Sequence, residues 1–162
     1  MGVFTYENEV TSPLPPSKLF KAFVLDADNL VPKIYKHGIN DLNVEILEGH
    51  GGPGTIKKFT FHEGGHLKFL KHKVDVLDKE HFTYNYSVVE GGPLSETLEK
   101  VSYETKLVAS PDGGTIFKST GKYYTKDHAE INEKKIKAED EKATGVFKAV
   151  EGYLLANPEA YN

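Results

Sequence analysis

The stretch Glu48-Gly49-His50-Gly51-Gly52-Pro53-Gly54-Thr55-Ile56-Lys57-Lys58 gathers four glycines and two lysines, a composition that cradles phosphates in nucleotide-binding proteins. In those proteins the loop runs into a helix whose N-terminal N–H groups and dipole hold the anion. Here Lys57, Phe59 and Phe61 alternate with Lys58 and Thr60 in β fashion, and no Gly-Lys-Ser/Thr ending follows. The segment is expected to be a tight connection between two strands, with Gly51, Gly52 or both at positive φ and Pro53 stiffening the turn. Gly49 and Gly54 complete it. Lys57 would then stand at a cavity mouth and offer a cation to an acidic or phenolate ligand, or to Glu99.

Other reactive types are less promising. There is no cysteine, so disulfides, thiolate metal sites and cysteine nucleophiles are excluded. The seven histidines (37, 50, 62, 66, 72, 81 and 128) show no metal-ligand spacing, and most fall in turns or at charged positions. Ser, His and Asp occur without a nucleophile elbow or an oxyanion-hole sequence. No metal and no cofactor is expected. All 20 basic residues are Lys and the formal charge is -4. Arginine's bidentate fork and a positive field are both missing, so specific binding of nucleic acid is not expected.

These residues have to be positioned by one soluble domain spanning 1–162. No stretch approaches the roughly 20 apolar residues of a membrane span. The start, Val3-Phe4-Thr5-Tyr6-Glu7-Asn8-Glu9, is acidic where a signal peptide is basic and then apolar. Tyr6 stands where a myristoylation signal needs Ser or Thr. A cytoplasmic monomer is the expectation.

Strands are predicted at 3–11, 42–48, 55–62, 66–77, 80–89, 96–109 and 114–124, separated by Gly, Pro and Asp turn signals. Prolines 13, 15 and 16 introduce a helix carrying Leu19, Phe20, Phe23 and Val24. A second short helix reaches Val31 before Pro32 limits it. A long helix over 129–156 carries the stripe Ile136, Ala143, Phe147, Val150 and Leu154 and ends at Asn157-Pro158. The charged residues between Glu130 and Glu139 form its solvated face. The fold class is α+β: a seven-stranded curved antiparallel sheet wrapped around the long helix, with two short helices in a V.

Alternation places Lys57, Phe59 and Phe61 on one face, with Leu67 and Phe69, then Phe82, Tyr84, Tyr86 and Val88. Glu99, Val101, Tyr103 and Leu107 join them, and so do Phe117, Ser119, Gly121 and Tyr123. Over this face the helix presents Asp140 and Ala143. A packed interior favours aliphatic side chains, since an unpartnered buried hydroxyl costs about 1–3 kcal/mol. Two readings follow: a tyrosine-walled ligand pocket, or a core whose hydroxyls reach solvent at the sheet rim.

The segments Met1 to Glu7, Lys18 to Phe23, Asp26 to Lys33, the glycine loop with Thr-Ile-Lys-Lys, Thr83-Tyr84-Asn85-Tyr86-Ser87, Leu98 to Val101, Tyr123 to Lys126, Lys148 to Leu154 and the ending Tyr161-Asn162 resemble the birch-pollen-allergen family, the intracellular pathogenesis-related class-ten proteins of plants. The resemblance spans the chain, and 35–43 is about two residues longer than is usual. It implies a large internal cavity for flavonoids, cytokinins, sterol-like hormones and fatty acids, a role in plant defence and secondary metabolism, and IgE as a partner in sensitised hosts. The lining positions it implies are Phe23, Asp28, Val31, Phe59, Phe61, Leu67, Phe69, Tyr84, Tyr86, Val101, Tyr103, Phe117, Asp140, Ala143 and Phe147.

Two alternatives come with the resemblance. Ribonuclease activity, ascribed to some members, would fall on Lys57, Glu99, Glu151 and Tyr153. Glu151 and Tyr153 lie two apart on one helix, about 200° around its axis, which argues against a shared centre. An abscisic-acid-receptor-like phosphatase inhibitor is the other. The loop Glu90-Gly91-Gly92-Pro93-Leu94 lacks the receptors' gate sequence, and a latch with arginine is absent.

Overall fold

The computed structural model describes residues 2–35, 42–63, 65–94, 97–127 and 129–162. The segment 35–43, expected to be longer than usual, therefore lies mostly outside the described residues, as do His37 and His128. The strands are β1 (Val3–Ser12), β2 (Leu42–Glu48), β3 (Ile56–Glu63), β4 (His66–Asp78), β5 (Thr83–Gly91), β6 (Leu98–Ala109) and β7 (Thr115–Thr125). The helices are α1 (Pro16–Phe20), α2 (Ala27–Tyr35) and α3 (Glu133–Ala156), with a π-helical turn at Lys21–Leu25 between α1 and α2. All seven strands form one antiparallel sheet in the order β1-β7-β6-β5-β4-β3-β2. Among the described residues no helix is long and apolar enough to cross a membrane.

Hairpin connections between apolar-alternating strands account for the meander; only β1 is brought to β7 from a distance, by the helical V. Pro16 occupies the first turn of α1, where a missing N–H has no consequence. Pro32 does not end α2 as expected. The helix runs on to Tyr35, because one lost hydrogen bond is offset by burial of Leu30 and Val31 and by the packing of Ile34. The start of α3 is also later than expected. Asn132 caps it, its side chain accepting from the Lys135 N–H. Ile131, just before the cap, packs against Ile136 and its neighbours.

The interior is divided in two. One cluster joins the V to the C-terminal half of α3 and the sheet: Leu19, Phe20, Leu30, Val31, Leu107, Phe117, Phe147, Val150 and Leu154. The other joins the start of α3 to the opposite end of the sheet: Val88, Val101, Tyr123 and Ile136. At about 25 cal/mol per Å² of apolar surface, these two seals hold the helix to the sheet. Between them the stripe opens. Ala143 falls there by its spacing, yet it is exposed and not buried as expected. A single methyl cannot reach across to the sheet, and the nearest neighbours of α3 are α2, β1 and the π turn.

Candidate functional site

Register fixes which side chains share the concave face. Lys57 stands opposite His72, Phe59 opposite Leu70, Tyr86 opposite Tyr103, and Tyr123 opposite Phe4. The rings on this face form a continuous series across six strands. Phe59 and His72 lie 4.5 Å apart, His72 and Tyr86 4.5 Å, Tyr86 and Tyr103 5.1 Å, Tyr103 and Tyr123 6.0 Å, and Tyr123 and Phe4 6.5 Å. Tyr84 joins at Tyr86, 5.4 Å away. Such tilted and edge-on pairs are favourable by about 0.5–1.5 kcal/mol each beyond burial. Gly121 makes the series possible: a Cβ there would come within 2.8 Å of the Tyr123 ring.

The rings are not sealed in. Phe59, Phe61, Tyr84, Tyr86 and Tyr103 are only half-buried although they face inward, with Tyr84 packed against the first cluster and Tyr103 against the second. Phe23 turns its edge to Phe117 and Phe147 in the first cluster. Asp140 is half-buried on α3, and desolvation raises its pKa. Desolvation likewise pushes Tyr86 up to about 12 and raises Tyr84 and Tyr103, so all three hydroxyls stay protonated near neutral pH. The Tyr103 and Tyr123 hydroxyls are hydrogen-bonded to each other. Near the start of α3 a cavity of about 40 Å³ is lined by Leu98, Tyr123, Ile136 and Glu139 among others.

A charged pair joins α2 to the concave face. Lys57 Nζ meets both carboxylate oxygens of Asp28 on α2, at 3.1 and 2.9 Å, with the lysine almost fully buried and the aspartate about one-quarter exposed. Lys57 lies on the concave face, and its partner is Asp28 and not Glu99. His72, directly across the strand pair from Lys57, is the residue that sequence reasoning missed. Burial, then the neighbouring ammonium of Lys57, pushes its pKa down to about 3. Its Nε2 is buried with no hydrogen-bond partner. The signal available was parity: His72 and Val74 share the inward side of β4.

That parity corrects two positions. Leu67 and Phe69 are on the outer face, 66% and 38% exposed, with Lys58 Nζ stacked over the Phe69 ring. The even-numbered residues 70, 72 and 74 of β4 face in, so the apolar pair at 67 and 69 was misleading. Glu99 is a third correction. A bulge between Leu98 and Lys100 leaves it as the extra residue, exposed, while Leu98 turns onto the Tyr123 cluster. Val31, Val101, Phe117 and Phe147 are buried in the two clusters.

The four residues of the ribonuclease alternative are not brought together. Lys57 is bound to Asp28, Glu151 to Lys148 at 3.4 Å, and Tyr153 accepts from Lys33 at 3.2 Å. Glu99 lies at the Leu98–Ile136 end of the interior, whereas Glu151 follows Val150 at the Leu107 end. Eight residues of β6 separate those ends, about 26 Å at 3.3 Å per residue.

The glycine loop has positive φ at Gly49, Gly51 and Gly54, and not at Gly52. Three of its N–H groups are engaged internally: Gly51 to Thr55 Oγ1, Gly54 to the Val74 carbonyl, and Thr55 to the Gly52 carbonyl. Engaged in this way, these three are not available to a phosphate.

Comparison with known proteins agrees with this architecture. Residues 1–157 match the family described as Pathogenesis-related protein Bet v 1 family. The chain belongs to that family. The major allergen Pru av 1 of Prunus avium is 60% identical over the full length of both chains. The crystal structure of Ara h 8.0201, a 45% identical chain, has a TM-score of 0.85, covering 96% of this chain and 99% of that one. Norcoclaurine synthase from Thalictrum flavum, in complex with dopamine and hydroxybenzaldehyde, is 18% identical. Its TM-score is 0.73, covering 96% of this chain and 88% of that one, which marks a shared fold. The same fold thus carries proteins named as allergens and a protein named as an enzyme, so fold alone does not fix the role.

Proposed function

We propose that this Bet v 1 family protein is a non-enzymatic, cytoplasmic carrier of amphipathic plant metabolites, held as a monomer on the ring face between β3 and β7 under α3. The observation that carries this reading is the row of half-buried tyrosines running from one buried cluster to the other. A close-packed core would have closed over them, whereas an aromatic wall with convergent hydroxyls and one ion pair suits a planar phenolic ligand such as a flavonoid. Cytokinins, sterols and fatty acids fit the same apolar surface with fewer polar contacts. The Lys57–Asp28 pair supplies a cation at one edge for a phenolate or carboxylate. Relatives named as allergens support recognition by IgE of sensitised hosts.

Calorimetry with a flavonoid tests the reading. Tyr86→Ala should weaken binding at least fivefold, equivalent to about 1 kcal/mol, with an unchanged circular dichroism spectrum. Unaltered affinity would place the ligand elsewhere.

A further inference from the structure

The last five residues are fastened to the helical V by three of its side chains, those of Lys18, Lys21 and Asp26. Lys18 on α1 is buried, and its Nζ donates to the Pro158 carbonyl at 2.6 Å and to Asn162 Oδ1 at 3.3 Å. Lys21 on the π turn donates to the Asn162 carbonyl at 3.4 Å. Tyr161 donates its hydroxyl to Asp26 Oδ2 at 2.5 Å, and its ring packs on the cluster beneath the V. Tyr161 does so at φ +60, a left-handed conformation that is strained for a non-glycine residue. That strain is sustained because the ring and the hydroxyl are both engaged.

Asp26 is where the chain turns from the π segment into α2. Its carbonyl accepts from the Asn29 and Leu30 N–H groups at 3.1 and 2.9 Å, and its other carboxylate oxygen accepts from Asn29 Nδ2 at 2.8 Å. The residue that starts α2 is therefore held from outside by the C-terminus. Two residues on, Asp28 reaches into the concave face to Lys57. The chain end is thus tied through Tyr161 to Asp26, and the backbone of the first turn of α2 joins Asp26 to Asp28, which meets Lys57 on the concave face.

We propose that residues Pro158 to Asn162 form a strap that sets the position of α2 and Asp28 against the binding face, with Tyr161 as the positioning residue. The mechanical part stands on these contacts alone; its consequence for ligand entry rests on the carrier reading above. With the strap engaged, α2 is fixed at its first turn by Tyr161 and at the site by Lys57. Releasing the first anchor leaves the helix hinged at the π turn, a segment whose wider hydrogen bonding is less regular than an α-helix. Ligands would then pass the Asp28 edge faster in both directions, with little change in the bound contacts.

Tyr161→Phe removes only the hydroxyl and leaves the ring packed, so the fold is retained. Amide hydrogen exchange should quicken about tenfold at Asn29 and Leu30 while β6 and β7 keep their protection. Stopped-flow fluorescence with anilinonaphthalene sulfonate should show association and dissociation both rising about threefold, with the dissociation constant within twofold of the parent. Wild-type exchange at Asn29 and Leu30, or an equal rise in β6 and β7, would overturn the strap. An affinity loss at unchanged association rate would overturn it as well. If the dye fails to bind the parent protein, the carrier reading falls and the exchange result still decides the mechanical claim.

Discussion

Replacing His72 with glutamine should make the protein less sensitive to acid, by an amount the structure allows one to work out. In the folded state the imidazole is buried beside Lys57 and its pKa is pushed down to about 3; unfolded, it returns to about 6.5. A depressed folded value means that the unfolded chain binds the extra proton, so stability is full above about pH 6.5 and drains away as pH falls toward 3. At pH 5 the unfolded state gains RT ln(1 + 10^1.5), about 2 kcal/mol, and the folded state gains almost nothing. Down to pH 3 the same linkage approaches 4–5 kcal/mol as an order of magnitude. Urea unfolding of the parent and of His72→Gln at pH 7 and pH 5 isolates the effect, since every other titrating group is common to both. The parent should lose about 2 kcal/mol more than the variant between the two conditions. Equal losses would show that His72 is solvated or paired in solution and would refute the burial argument.

Other substitutions probe separate parts of the framework. Gly49→Ala should destabilise by about 2 kcal/mol or more in urea melts, because φ is +88 and the new Cβ would come within 2.6 Å of Thr55 Oγ1; Gly52→Ala, with no positive φ and open space around it, should stay within about 0.5 kcal/mol. Asp28→Asn leaves the Lys57 ammonium buried with a neutral partner, and a stability loss of about 1–3 kcal/mol is expected. Lys57→Met removes the cation beside His72, so the His72 resonance should titrate at higher pH by NMR; an unmoved midpoint would contradict their coupling. Glu151→Gln should leave any trace of RNA cleavage unaltered, and a loss of several orders of magnitude would revive the ribonuclease alternative.

The fold was legible because most of its strands repeat their apolar residues at a spacing of two, and the turns carry glycine, proline or aspartate. Tyr84, Tyr86, Tyr103 and Tyr123 were placed correctly on the concave face for the same reason, since alternation is unbroken over 83–88 in β5, 101–107 in β6 and 117–124 in β7. Where alternation is interrupted, the reading failed. The bulge at Leu98/Lys100 turned Glu99 outward. In β4 both parities offer apolar side chains at one end, so Leu67 and Phe69 outweighed Leu70 and His72. A second register shift, between Val74 and Val76, compounds the ambiguity. The partnership of Lys57 with Asp28 joins residues 29 apart on a strand and a helix. Nothing local in the sequence encodes such a contact, which depends on how the V is set down on the sheet. Pro32 shows the same limit, because packing beneath α2 outweighs a local stop signal.

The row of rings across six strands also determines how this protein interacts with light. The chain has nine tyrosines and no tryptophan, so its near-ultraviolet emission comes from phenol alone, with no indole to drain it. Tyr84, Tyr86, Tyr103 and Tyr123 stand in successive steps of 5.4, 5.1 and 6.0 Å, close enough for excitation to migrate from ring to ring before it is emitted. A chromophore seated against any one of them would therefore quench the group collectively, and the emission would be depolarised even when the molecule itself does not tumble. The concave face is its own built-in optical antenna.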